Sequence, residues 1–377
     1  MKRHIALATL AALAFATPAA AKPAPLLDCP LRDMPFSSAS PLIDIMLSPA
    51  AKAVLDKATG GKTSKIPERF AGTTPPSFAA ILTLGNGAMM TGLSADAMPE
   101  LNRQLAAIPV THADKLARCA RYDSVAPKLD IPSGKGPKIL LFEKINGFKD
   151  APSVNAAHAA FVAMAARKGW SIVTTENGAA FSPAILQKFD AVIWNNISGD
   201  VLTLSQRAAF QSFLKRGGAF IGVHGSAGDP AYFWDWYADT LLGVRFIGHP
   251  MMPQFQNATV RLNDDSHPVA AGLPKSWEMK DEWYSFKTSA RASGSHIIAS
   301  LDESTYTQIG MAGQKLAMGA DHPIAWSRCI GKGRVFYSAI GHLPAQYSHP
   351  LYVQMLEQAI TWATAKGASE GGGECRK

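Results

Sequence analysis

Gly217-Gly218-Ala219-Phe220-Ile221-Gly222-Val223-His224-Gly225 reads as a Gly-Gly turn, a short apolar strand and a histidine at the strand's carboxyl end. The small residues Gly225-Ser226-Ala227-Gly228 follow and permit a sharp exit. In open α/β sheets, ligands bind outside the carboxyl ends of the strands. A tight strand-to-turn corner at that edge lifts one side chain into the cleft. Here that side chain is an imidazole, which near neutral pH serves as acid, base or metal ligand. The alternative is a strand-end histidine that only bonds a loop carbonyl.

The surrounding pattern supports a sheet. Residues 138–142, 170–174, 190–194 and 219–223 are short apolar runs. Helical segments separate them: Ser153 to Lys168, ended by Gly169; a short one from Ser182-Pro183; and Ser205 to Arg216, closed by Gly217-Gly218. This alternation predicts an α/β domain with a parallel sheet covered on both faces. Its strand ends should share one rim, with Asn195 and Asn196 from the third strand and His224 from the fourth. The loop after the first strand brings Glu143, Asn146 and Asp150. Beyond about residue 230 the chain is richer in β signals, with strands expected at 259–262, 296–301 and 334–338. An amphipathic helix over 351–365 closes the domain.

Upstream, residues 22–123 read as a small helical accessory domain, with helices starting near Ser48-Pro49, Pro76-Ser77, Ala97 and Thr111. Residues 124–137 (SVAPKLDIPSGKGP) have linker composition. The α/β domain spans 138–366, and 367–377 is a polar, Gly-rich tail. Residues 1–21 are expected to be a cleaved signal peptide. Lys2, Arg3 and His4 precede an apolar run from Ile5 to Ala16, and Ala19-Ala20-Ala21 places cleavage near Ala21. That run is shorter than the about 20 residues a membrane span needs. No later segment is long and apolar enough, so a periplasmic or secreted protein is expected.

Loss of Lys2 and Arg3 lowers the formal charge from +8 to +6. With no basic run and no basic-aromatic interleaving, nucleic acid is not an expected partner. The four cysteines, Cys29, Cys119, Cys329 and Cys375, form no CxxC pair. An even count in an oxidising compartment favours disulfides. Of three pairings, Cys29 with Cys119 and Cys329 with Cys375 keep each bridge within one region.

Beyond the strand-end corner, polar groups recur beside Gly or Pro: Gly248-His249-Pro250, Asp265-Ser266-His267-Pro268, Asp321-His322-Pro323 and Gly341-His342, with Asp281-Glu282-Trp283-Tyr284 among them. Such clusters at strand ends are active-site material, although His267 and His322 read better as structural loop histidines. The aromatic run Tyr232, Phe233, Trp234, Trp236 and Tyr237 supplies flat faces that stack on sugars, or else fills core. Gly331-Lys332-Gly333-Arg334 is no phosphate loop, because the GK[ST] element is missing.

Taken in order, Gly217-Gly218-x-x-x-Gly222-x-His224, Trp236-Tyr237, Gly248-His249-Pro250, His267-Pro268 with Gly272-Leu273-Pro274, Asp281-Glu282-x-Tyr284 and Gly331-x-Gly333-Arg334-Val335-Phe336-Tyr337 ending in Gly341-His342 resemble the ThuA-like family of trehalose-utilisation proteins. The resemblance covers about Lys138 to Ala365. It implies a flavodoxin-like, class I glutamine-amidotransferase-like parallel sheet domain, here preceded by the small helical one. His224 stands at the elbow where the amidotransferases carry their nucleophilic cysteine, so thiolate chemistry on glutamine is excluded there. Relatives often have Phe-Arg/Lys-His after the first strand, whereas this chain has Phe148-Lys149-Asp150.

The family is associated with sugars handled as 3-keto derivatives. The resemblance therefore implies an isomerase, lyase or hydrolase acting on a small-molecule carbohydrate, a keto-sugar or glycoside. Glu282 or a histidine such as His342 would take a proton beside the carbonyl, and His224, Tyr284 or a metal would stabilise the enolate. Asn195, Asp150, Trp236, Tyr237 and Asp281 are the expected substrate contacts. A divalent ion, zinc or manganese, would sit on His224, His249 and His342 with a carboxylate. Two other readings are a non-catalytic periplasmic sugar-binding or scaffold protein, and a hydrolase with Ser226 as nucleophile. The oligomeric state is not legible.

Overall fold

The computed structural model describes residues 25–87, 92–366 and 375. The expected signal peptide and its cleavage site, and the tail apart from Cys375, lie outside them. Eleven strands occur among the described residues: β1 (Lys138–Phe142), β2 (Ser171–Thr175), β3 (Ala191–Asn195), β4 (Ala219–Val223), β5 (Phe246–Gly248), β6 (Phe255–Leu262), β7 (Ser276–Glu282), β8 (Ser285–Phe286), β9 (His296–Asp302), β10 (Pro323–Ile330) and β11 (Gly333–Ser338). Nine of them form one sheet in the order β2-β1-β3-β4-β11-β10-β9-β6-β7, and β5 pairs with β8.

The sheet is mixed. The strands from β2 through β11 in that order run parallel, and the rest, through β10, β9, β6 and β7, run antiparallel. The parallel half matches the alternation in the sequence. Strands β3 and β4 are buried along their whole length, which is why they read as unbroken apolar runs. The antiparallel half extends that picture. Strands β7 and β10 carry charged or polar residues among the apolar ones and were not expected. Along most of β7 alternate residues face solvent, while Asp281 and Glu282 at its end are both buried.

Local chemistry fixes the helices of this half. Helix Ala151–Lys168 has Pro152 in its first turn and Gly169, at φ +69°, as its stop. Helix Leu204–Lys215 starts at a capping box made by Thr203 and Gln206. The chain then turns at Gly217 (φ +113°) into β4, and a Cβ on Gly218 would lie 2.3 Å from the Phe213 ring. The Gly-Gly pair that marked the fold in the sequence is thus required by a left-handed turn and by close packing.

The N-terminal region is helical, with Leu42–Leu47, Pro49–Ala58, Glu68–Ala71, Met98–Ala106 and His112–Cys119. It has its own apolar cluster around Phe36, Ile43, Leu55, Leu101 and Leu105. The helix expected from Pro76 is instead a single turn, Phe78–Ala80. There the backbone serves neighbours: Ser77 N–H bonds Asn146 O at 3.0 Å and Leu42 N–H bonds Leu82 O at 2.8 Å. Residues 124–137 run without regular structure, and Leu129 and Ile131 pack against the sheet's core. Both disulfides form as the sequence favoured, Cys29–Cys119 and Cys329–Cys375. No helix among the described residues is long and apolar enough to cross a membrane.

Candidate active site

The rim at the end of β4 is held in an unusual conformation. His224 has φ +32°, a left-handed value that costs a non-glycine residue about 1–3 kcal/mol. Its surroundings fix it there. Tyr337 Oη donates to the His224 carbonyl at 2.7 Å, and Gly225 N–H bonds Asn196 Oδ1 at 3.1 Å. Asn196 is itself left-handed (φ +54°) and donates to Tyr347 Oη at 3.0 Å. Tyr237 donates to the carbonyl of Ser226, bracing the turn from behind. A strand end held this way presents its imidazole in one orientation.

Three chain segments meet at that imidazole. Strand β7 is the outer edge of the sheet, yet the sheet curls far enough to return its end to the β4 and β11 rim. Asp281, fully buried, makes the connection. Its carboxylate accepts the N–H of Gly341 at 2.7 Å, of Leu343 at 3.1 Å and of Glu282 at 2.9 Å. This bracket holds the loop carrying His342 against the strand end carrying Glu282.

The result is a compact cluster. His224 Nε2 lies 3.1 Å from His342 Nδ1 and 3.4 Å from Glu282 Oε2, and His342 Nδ1 lies 3.0 Å from Glu282 Oε2. His224 Nδ1 donates to Ala339 O at 2.7 Å, which leaves Nε2 facing the cluster. The other oxygen of Glu282 receives Gln254 Nε2 and stands 3.2 Å from His249 Nδ1. His249 also bonds the carbonyl of Pro250 at 2.9 Å. Tyr284 packs against the His224 ring, tilted by 31° with centroids 4.2 Å apart.

The inner members are sealed and the outer ones are wet. Side-chain exposure is 4% for His224 and 2% for Glu282, against 13% for His342, 23% for His249 and 29% for Asp150. The mouth therefore lies on the His342 side. Asp150 stands there with Oδ2 3.9 Å from His342 Nε2, and Ser153 ties it in by donating to the Asp150 carboxylate or to the carbonyl of His342. Two rings flank His342: Phe255 at 5.1 Å and Phe148 at 6.1 Å. Phe148 is 40% exposed and leans on Phe78 of the N-terminal region at 5.1 Å.

Electrostatics follow from burial and pairing. Burial opposes ionisation of Glu282, but the imidazoles of His224 and His342 set against its carboxylate, with His249 beyond them, outweigh it, so its pKa falls. Burial likewise opposes charge on His342, and the facing Glu282 outweighs it, raising the imidazole pKa. Burial, then the Glu282 charge, holds the Tyr284 phenol well above its usual value. Burial raises Asp281 against the opposing pull of His224 and the three backbone donors.

Of the residues singled out in the sequence, His224, His342, Glu282, Tyr284, Asp281, His249 and Asp150 are thus brought together. Others are placed elsewhere. Asn195 is fully buried, and its amide is spent on Glu143 Oε1 at 2.7 Å and Val154 O at 2.9 Å. Trp236 stacks on Trp234 at 5.2 Å and Tyr237 on Trp194 at 5.0 Å, both within the packing over the sheet. Ser226 Oγ donates to Trp194 O and accepts from Ile197 N–H, and is buried. His267 caps the turn at Pro268–Ala270, and His322 bonds the Tyr284 carbonyl at 2.8 Å, both structural. Phe148, Phe255, Gln254 and Ser153 were not singled out. Phe148 had a signal, an apolar residue just before Asp150 in a rim loop; the others had none.

The family model for ThuA, described as trehalose utilisation, matches residues 138–363. Among solved structures, a ThuA-like protein from Bacteroides uniformis is 23% identical, with a TM-score of 0.54 over 63% of this chain and 96% of that one. A ThuA-like protein from Parabacteroides merdae is 17% identical, with a TM-score of 0.47 over 61% of this chain and 91% of that one. Comparison with curated proteins found no match.

Proposed function

Since this chain belongs to the ThuA trehalose-utilisation family, we propose that it is an exported enzyme of carbohydrate utilisation that removes a proton beside the carbonyl of a keto-sugar or keto-glycoside. The observation that carries this reading is the convergence of His224, His342 and Glu282 from three segments at one rim. Buried ionisable groups so arranged are costly and cluster at functional sites. The two disulfides support an oxidising compartment. With every cysteine among the described residues in a disulfide, thiolate chemistry has no nucleophile.

The roles divide by depth. The sealed cluster faces the sugar's carbonyl oxygen, with Tyr284 as a protonated donor beside it. Asp150, the most exposed member at the mouth, would take the proton from the carbon next to the carbonyl. The C–H electron pair then forms the enolate. Its return either protonates the former carbonyl carbon while the neighbouring hydroxyl gives up its proton and becomes the new carbonyl, an isomerisation, or expels the glycosidic oxygen from the adjacent carbon, which leaves with the proton that the base had taken. Glu282, committed to Gln254, His249 and His342, orients its neighbours and is a poor proton carrier. Phe148 and Phe255 offer flat faces for the sugar.

The test is a screen of the mature protein against 3-keto-glucosides and their parent sugars, read by mass spectrometry. A rearranged or cleaved product from the keto-sugar supports the reading. Binding of sugars with no product, unchanged in Glu282→Gln, would instead make the protein a sugar binder.

A further inference from the structure

We infer that His224 Nε2, His342 Nδ1 and Glu282 Oε2 form the protein face of a divalent-cation site, with zinc the best-matched ion. The inference deepens the reading above by naming what holds the sugar's oxygen, yet it is tested by metal binding alone.

The carbonyl of Ala339 fixes the proton of His224 on Nδ1, so Nε2 points a lone pair into the cluster. Glu282 Oε2 points another from 3.4 Å away, and His342 Nδ1 stands 3.1 and 3.0 Å from the two. Buried acceptors at such distances repel unless a positive centre sits among them. One proton on His342 Nδ1 lies along a single line and serves one acceptor well. A cation serves all three at once. Zinc takes N and O ligands at about 2.0–2.2 Å in a tetrahedral array, which sets the edges between ligands at about 3.3 Å. The observed edges of 3.0, 3.1 and 3.4 Å come within about 0.3 Å of that value. An ion touching all three would stand about 1 Å out of their plane, with its fourth position open.

The second layer fits as well. Metal-binding histidines usually donate their other N–H to a carbonyl or carboxylate. His224 does so to Ala339, and His342 presents Nε2 toward Asp150. Gln254 and His249 hold the free oxygen of Glu282, and Asp281 clamps the loop of His342. His249, expected from the sequence as a ligand, turns Nδ1 to Glu282 and Pro250 and is an orienting residue here. Two imidazoles and one carboxylate are a borderline donor set suited to zinc and, less well, to manganese. A bound ion would supply Lewis-acid polarisation of a carbonyl oxygen.

The experiment uses the full chain purified without chelator. Metal content is measured by elemental analysis. Zn²⁺ and Mn²⁺ uptake by the chelator-stripped protein is followed by calorimetry, and Co²⁺ is added as a visible-absorption probe. We expect about one equivalent of Zn²⁺, the intense visible bands of four-coordinate Co²⁺, and loss of both in Glu282→Gln and in His342→Gln. His249→Gln, an orienting change, should keep the stoichiometry with affinity about 10–100-fold weaker. Circular dichroism confirms folding, and His224→Gln serves as a third ligand variant should either of the first two unfold. Stripped wild-type protein with a native spectrum that takes up neither ion overturns the inference, as does uptake undiminished in the ligand variants. Metal uptake without turnover on any keto-sugar would sink the reaction and leave the site. Turnover by protein that takes up neither ion would sink the site and leave the reaction.

Discussion

Asp281→Asn isolates the bracket that assembles the site. The native carboxylate accepts three backbone N–H groups, from Gly341, Leu343 and Glu282. An asparagine can keep its oxygen toward Leu343 and Glu282, but its NH₂ then faces the Gly341 N–H, donor against donor. One charge-assisted bond is lost, at about 1.5–3 kcal/mol, and a buried N–H is left without an acceptor. Because Asp281 and Gly341 are both buried, water cannot replace it. The two effects overlap, so about 2–4 kcal/mol is expected against local opening of the loop. At 1.4 kcal/mol per tenfold this becomes about 30- to 1,000-fold faster amide exchange. The assay is hydrogen exchange of Gly341 and Leu343 read by mass spectrometry, with peptides from β1 and β3 as controls. His342 should drift from Glu282 with the loop, so sugar turnover falls too. If loop exchange stays within about twofold of wild type, the carboxylate does not hold the loop and the account of how the site assembles is wrong.

Phe148→Ala should weaken sugar binding about 2- to 10-fold, for a stacking contact of about 0.5–1.5 kcal/mol. Because the residue is 40% exposed but its ring leans on Phe78, unfolding stability should fall by only about 1–2 kcal/mol; titration calorimetry and a thermal melt check both. His267 gives a pH signature. Burial, with the neighbouring His296, depresses its pKa to about 4, and its Nδ1 accepts Val269 N–H, leaving no room for a second proton. The unfolded chain takes up that proton near pH 6.5, so stability holds above about 6.5 and falls toward pH 4 by at most about 3 kcal/mol. His267→Gln should flatten that slope in denaturant midpoints measured across the range. Cys29→Ser with Cys119→Ser opens a loop of 90 residues and should cost about 2–4 kcal/mol, measured by chemical unfolding, with sugar binding retained.

The parallel half of the sheet was readable because strands buried on both faces leave unbroken apolar runs, and Gly217-Gly218 marked the turn from a helix into β4. The antiparallel half was harder. Strand β7 mixes Glu278 and Lys280 on its wet side with Trp277 and Met279 on its dry side. Its last two residues, both acidic and both buried, looked like loop chemistry. Local pattern cannot show that the end of an edge strand reaches the rim of β4 and β11; only the bonds of Asp281 to Gly341 and Leu343 do. Individual site residues were legible as polar groups beside Gly or Pro, since a strand end that holds a side chain in place needs such a turn. Their grouping was not. In the proposed cation site Glu282, read from the sequence as a base, supplies the carboxylate, and His249, read as a ligand, only orients it, because its ring is anchored by its neighbour's carbonyl. Trp236 and Tyr237 looked like a sugar platform, but they open a helix over the sheet, where Tyr237 is buried and Trp236 is partly covered against Trp234. Phe148, a lone ring at a loop tip, stands beside His342 instead.

Deuterium wash-in reads the proposed chemistry most directly. A 3-keto-glucoside is incubated with the protein in heavy water and the carbons beside the carbonyl are followed by NMR. The account predicts exchange at one of those carbons with wild-type protein, and its loss in Glu282→Gln and His342→Gln with folding intact. Bound sugar that keeps its hydrogen, or exchange that persists in both variants, would contradict it.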